Sequence, residues 1–113
     1  MHEISIIQEV MNITQKTAAE NNMKRVDKIT LKIGELSGVM IDPLVFAFSI
    51  IRQGTLAETS KLEVIKVDAR AKCDTCNTIF KIDYSNKLCP ACNKFSNNII
   101  SGYELNIETI EGE

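Results

Sequence analysis

Two pairs of cysteines, Cys73-x2-Cys76 and Cys89-x2-Cys92 with twelve residues between the pairs, constrain this chain more than any other feature of its sequence. Each pair can wrap a tight turn that aims both sulfurs at one point. Two such turns complete a tetrahedron of thiolates about 2.3 Å from a zinc ion. With Cys73, Cys76, Cys89 and Cys92 filling all four positions, no place is left for a catalytic water, so the spacing predicts a structural zinc site. Two disulfides are the competing reading. A segment of about thirty residues with few apolar side chains needs a metal to order it, which favours zinc. Asn77 and Asn93 each follow a pair, where the chain must turn away in a left-handed conformation that asparagine tolerates. Lys72, Lys81, Lys87 and Lys94 either offset the negative charge of four thiolates or simply form a solvated face.

The rest of the chain reads as one main domain, the usual outcome for 113 residues. The net charge of −2 gives no electrostatic reason to expect a nucleic-acid partner, whose affinity would come from Lys and Arg on phosphates. Met1-His2-Glu3-Ile4 passes straight into an amphipathic pattern, without a basic leader or a uniform apolar run. No stretch approaches the roughly 20 apolar residues of a membrane span, so a cytoplasmic protein with no membrane partner is expected. In that compartment thiols stay reduced and paired cysteines usually mean metal.

Apolar residues at helical spacing (Ile4, Ile7, Met11, Ala18) predict a helix from Ile4 to about Asn22, stopped by Asn21-Asn22. From Lys28 to Leu36 the chain alternates, with Ile29, Leu31 and Ile33 on one face, and reads as a half-buried strand. Asp42-Pro43 offers an N-cap and a first helical position for a helix over Leu44 to Gln53, with Gly54 as its terminator. This second helix is apolar nearly all round and should be the most buried element. A second strand over Leu62 to Val67 shifts phase at Val64-Ile65, which predicts a bulge or burial on both faces. A third runs from Tyr103 to Thr109. The expected fold is α+β: a three-stranded sheet packed with two helices, residues 1–68 and 102–113, carrying an inserted four-cysteine zinc-ribbon lobe over residues 69–101.

His2 is the only histidine in the chain. A terminal histidine is usually just exposed, but the amine of Met1 with the backbone nitrogen and imidazole of His2 can close adjoining chelate rings, and the Glu3 amide lies beside them. Such a flat, nitrogen-rich set suits Ni(II) or Cu(II). Met-His-Glu at the start, an immediate helix and late paired Cys-x-x-Cys motifs together resemble the HypA/HybF family of hydrogenase-maturation nickel chaperones, and the stretch Ile33-Gly34-Glu35-Leu36-Ser37-Gly38-Val39 is similar to the family's pattern. The resemblance covers the whole chain. It implies nickel as transferred cargo at Met1, His2 and Glu3, zinc at the four cysteines, and delivery, with a hydrogenase-maturation GTPase, to the large-subunit precursor of a nickel-iron hydrogenase. Unlike some relatives, the chain has no histidine beside its cysteine pairs.

A zinc-ribbon module that docks on protein or nucleic acid is the alternative. It would need a basic face and exposed aromatics, and the lobe offers only Phe80, Tyr84 and Phe95. Nothing in the sequence converges on a reacting group, so no enzyme is expected. Open strand edges allow exchange of elements with a second copy, which leaves monomer and homodimer both standing.

Overall fold

The computed structural model describes residues 3–113; Met1 and His2 lie outside the described residues. The elements run α1 (Glu3–Glu20), β1 (Val26–Gly34), α2 (Ile41–Ile51), β2 (Lys61–Val67), β3 (Arg70–Lys72), β4 (Ile79–Lys81), β5 (Ile99–Ser101) and β6 (Leu105–Gly112). Strands β2, β1 and β6 hydrogen-bond in that order, with β1 central, and β4, β3 and β5 form a second small sheet. The fold is α+β, two helices with two sheets.

The chain divides into two compact units. The first comprises the described residues up to Leu31 with Val39–Ile65 and Asn106–Glu113; the second comprises Lys32–Gly38 and Lys66–Leu105. The division therefore falls within β1, β2 and β6.

In the first unit α1 buries Ile7, Val10, Met11, Thr14 and Ala18, the stripe its sequence spacing marks out. The helix ends where the asparagines predict. The Met23 amide donates to Ala18 O (2.8 Å), the Asn22 amide donates to Ala19 O (3.3 Å), and Asn22 turns left-handed at φ 56°. These are the two bonds and the conformation of a Schellman ending, which satisfies carbonyls the helix would otherwise leave open. Val26, Ile29 and Leu31 of β1 are also buried, as are Leu44, Ala47 and Phe48 of α2.

Helix α2 departs from expectation at its start and in its burial. It begins at Ile41, with Met40 in the N-cap position and no side-chain cap, so Asp42 and Pro43 lie inside the first turn. Nor is it the most buried element: Val45, Phe46 and Ile50 are exposed. An all-round apolar sequence marks a helix that could be covered on every side, but in this chain only one side is.

The other strands are shallower than their sequences imply. Leu62, Glu63, Val64 and Val67 of β2 are half-buried and Ile65 is exposed, so the phase shift does not mark burial on both faces. Strand β6 lies two to three residues later than its alternation suggests, and its half-buried positions are Ile107 and Ile110.

Candidate metal centre

The second unit is built around its cysteines. Ala71 of β3 pairs with Phe80 of β4 and with Ile99 of β5. Leu36, Ala69, Ala71, Phe80 and Ile82 pack with Cys73 and Cys89 into one apolar cluster, flanked by Cys92 and Ile99. Two of that cluster's seven members are thus thiols, and the apolar remainder is small. A core of this size has little burial to offset the entropy of ordering the segment.

The two cysteine turns are built alike. In the first, the Cys73 amide donates to Thr78 O (2.8 Å) and Cys73 O accepts from the Asn77 amide (2.8 Å). In the second, the Cys89 amide donates to Lys94 O (2.9 Å) and Cys89 O accepts from the Asn93 amide (2.7 Å). Asn77 and Asn93 both turn left-handed, at φ 62° and 60°. A bridge between Leu88 and Phe95 closes the second turn.

These turns bring all four sulfurs within 4.8 Å of one another. The separations are 3.5 Å for Cys73–Cys92, 3.6 Å for Cys76–Cys89 and 3.9 Å for Cys76–Cys92. A tetrahedron of sulfurs about 2.3 Å from a central ion has edges of about 3.8 Å, so the spacing fits a tetrathiolate site. A disulfide would need about 2.05 Å, and all four cysteines are free thiols.

The surroundings favour the thiolate form at one side of the cluster. Backbone N–H groups of Cys76 and Thr75 hold the Cys73 thiol below its ordinary range. The Thr78 hydroxyl, 3.1 Å from the Cys76 sulfur, and the Thr78 amide bring Cys76 down to about 6. For Cys92 the Lys94 amide pulls the same way, but the crowd of thiols from Cys73, Cys89 and Cys76, with burial, pushes it up to about 11. Four thiols this close cannot all ionise without a cation between them, and a divalent ion supplies that charge. Cys73 and Cys89 are buried while Cys76 is exposed, so the cluster is open on the Cys76 side. Of the nearby lysines, Lys81 is engaged with Asp68, 3.5 Å away. Thr78 went unnoticed in the sequence; its signal is a hydroxyl two residues after the second cysteine of a pair.

At the other end of the chain the structure describes only Glu3 of the three expected nickel residues. Glu3 opens α1, and its carboxylate accepts the Met40 amide at 3.4 Å, which lowers its pKa from the usual carboxylate range. The expected roles of Met1 and His2 lie outside the described residues.

Residues 1–112 match the HypA family model, described as hydrogenase/urease nickel incorporation, metallochaperone, hypA. The chain belongs to the HypA family. Hydrogenase maturation factor HypA of Francisella philomiragia is 41% identical over 110 residues, covering 97% of both chains. The HypA of Geobacter sulfurreducens is 37% identical over 113 residues, covering both chains completely. In fold, the chain is similar to the solution structure of the Ni metallochaperone HypA from Helicobacter pylori, with a TM-score of 0.68 at 23% identity over 99% of this chain and 97% of that one. HypA is a family of metallochaperones and maturation factors, not of enzymes. The four-thiol group of this HypA member is the cluster among its described residues that has the geometry to hold a metal ion.

Proposed function

We propose that this chain captures Ni(II) at its N-terminal residues and hands it, with a maturation GTPase, to the large-subunit precursor of a nickel-iron hydrogenase in the cytoplasm, while a zinc ion at Cys73, Cys76, Cys89 and Cys92 holds the second unit together. The observation that carries this reading is the family match from residue 1 to residue 112, which takes in Met1-His2-Glu3 and both cysteine pairs at once. On this reading residues 1–68 and 102–113 are the nickel-carrying part and residues 69–101 the zinc-carrying part.

The two donor sets divide the metals between them. Closed, soft and tetrahedral, the thiolate cluster suits zinc and has no open position from which an ion could be passed on. An amine, a backbone nitrogen and an imidazole at a chain end suit square-planar nickel and can be presented to an acceptor one after another. The family resemblance gives the Glu3 backbone nitrogen as its donor, while the Glu3 carboxylate accepts the Met40 amide through one oxygen. Lying open at Cys76, the cluster could also bind a protein partner directly, and the zinc-ribbon module remains the second reading on that ground.

Calorimetric titration of Ni(II) into zinc-loaded protein separates these readings. A one-to-one site should vanish both in His2→Ala and in a chain carrying extra residues ahead of Met1, with zinc content unchanged. Nickel binding that survives both changes would place the ligands elsewhere.

A further inference from the structure

The four cysteines of the metal centre do not face solvent alike. Cys73 is 1% exposed and Cys89 fully buried, both inside the apolar cluster of the second unit, whereas Cys92 is partly covered and Cys76 is exposed. A small molecule arriving from water therefore meets Cys76 before the other three. Thiolates, not thiols, are the nucleophiles of cysteine chemistry, and holding a cation keeps a sulfur in that form. Oxidation of cysteine follows thiolate character and exposure together, and an oxidation site works best with a second thiol beside it to resolve the product.

That second thiol is present. The Cys89 sulfur lies 3.6 Å from the Cys76 sulfur, and the Cys92 sulfur lies 3.9 Å from it. A disulfide needs about 2.05 Å, so an approach of about 1.5 Å joins Cys76 to Cys89, the nearer of the two. We propose that Cys76 is a site of modification by a small hydroperoxide and that Cys89 is its resolving thiol, so that oxidation ties the two cysteine turns together and dismantles the metal centre. This rests on the zinc reading above and goes beyond it, because it gives unequal roles to four ligands that the zinc reading treats as equivalent.

The chemistry runs in two steps. The Cys76 thiolate attacks one oxygen of the peroxide: an S–O bond forms, the O–O bond breaks and hydroxide leaves with the electron pair. The Cys89 thiolate then attacks the Cys76 sulfur: the S–S bond forms, the S–O bond breaks and a second hydroxide leaves. Two thiolates together lose two electrons, and one hydrogen peroxide is reduced to two hydroxide ions. The disulfide removes two of the four donors. Cys73 and Cys92, with sulfurs 3.5 Å apart, are placed to follow with a second peroxide. Because the apolar cluster of the second unit is small, losing the ion loosens the unit, and an event at one exposed sulfur reaches all of it.

The test treats the full zinc-loaded chain with less than one equivalent of hydrogen peroxide, traps sulfenic acid with dimedone and blocks the remaining thiols by alkylation. Trypsin cutting after Lys72, Lys81, Lys87 and Lys94 separates Cys73 and Cys76 from Cys89 and Cys92, so a disulfide between the turns links two peptides that one within a turn leaves apart. Dimedone should label Cys76 at least about tenfold more than any other cysteine, as its exposure implies. The first disulfide should map by fragmentation to Cys76 and Cys89, with one zinc released to a chromogenic chelator for each disulfide formed. Dithiothreitol with added zinc should restore the loaded chain. Preferential label on another cysteine, a first disulfide of any other pairing, or zinc kept by the oxidised chain would overturn the inference and leave the zinc reading standing. A chain that holds no zinc before oxidation defeats the zinc reading itself, and the inference with it.

Discussion

Gly34 and Gly38 sit four residues apart in the same stretch, and their sequence context alone suggests one role for both, a turn. The structure separates them. Gly38 has φ 79° with open space around it, so a side chain there meets only backbone strain. At Gly34 a Cβ would overlap the backbone of Gly102, and it would lie 2.6 Å from the Glu104 amide nitrogen. The Gly34 amide donates to Glu104 O at 2.7 Å, and the Leu36 amide donates to Gly102 O at 2.6 Å, so these backbones are held in contact. Gly34→Ala should therefore cost about 3 kcal/mol, the upper end for forced overpacking, whereas Gly38→Ala should cost about 1 kcal/mol for a left-handed alanine. Urea midpoints of the two variants check this; equal losses would mean that the close approach at Gly34 relaxes without penalty. No local pattern announces such a contact, because Gly34 and Gly102 are brought together by strand pairing across most of the chain.

Elements differ in how much of them local sequence can express. Helix α1 was legible down to its Asn21-Asn22 ending, because its apolar stripe and its terminator are both local. The cysteine turns were legible for the same reason: the Cys-x-x-Cys spacing and the following asparagine define each one, and the four sulfurs converge as that spacing implies. Helix α2 was legible as a helix but not in its burial, since an all-round apolar sequence does not say which face the rest of the fold covers. Strands β3, β4 and β5, three residues each, are too short to show a period. The second unit's dependence on metal can be read out separately, because Tyr84 and Tyr103, the chain's two tyrosines, both lie in it, while both helices lie in the first unit. Stripping the metal with a strong chelator should change tyrosine emission and expose Lys81 and Lys87 to trypsin, leaving most of the helical circular-dichroism signal. Loss of the helical signal in step with the tyrosine change would show that the helices also need the metal.

At the scale of the whole molecule the proposed function puts two metals on two chemistries, and protons should distinguish them. Nickel capture requires deprotonation of an amine with a reference pKa of about 7.7–8.0 and an imidazole of about 6.5, so its affinity falls as pH falls through that range. Thiolates also compete with protons. Cys73 is held down by the Cys76 and Thr75 amides and Cys76 is brought to about 6 by Thr78, while Cys92, against the pull of the Lys94 amide, is pushed up to about 11 by its thiol neighbours. Four zinc–thiolate bonds must nevertheless be broken together before that ion leaves. Acidification should thus release nickel first and zinc later, as followed by metal analysis after desalting at successive pH values; simultaneous release would indicate shared ligands. This chain has no histidine besides His2, so no second imidazole titration should appear in the release curve. X-ray absorption at both metal edges, on protein loaded with one nickel and one zinc, tests the separation most directly. The account predicts a zinc shell of four sulfurs at about 2.3 Å and a nickel shell of nitrogen and oxygen donors without sulfur. Sulfur in the nickel shell would contradict it.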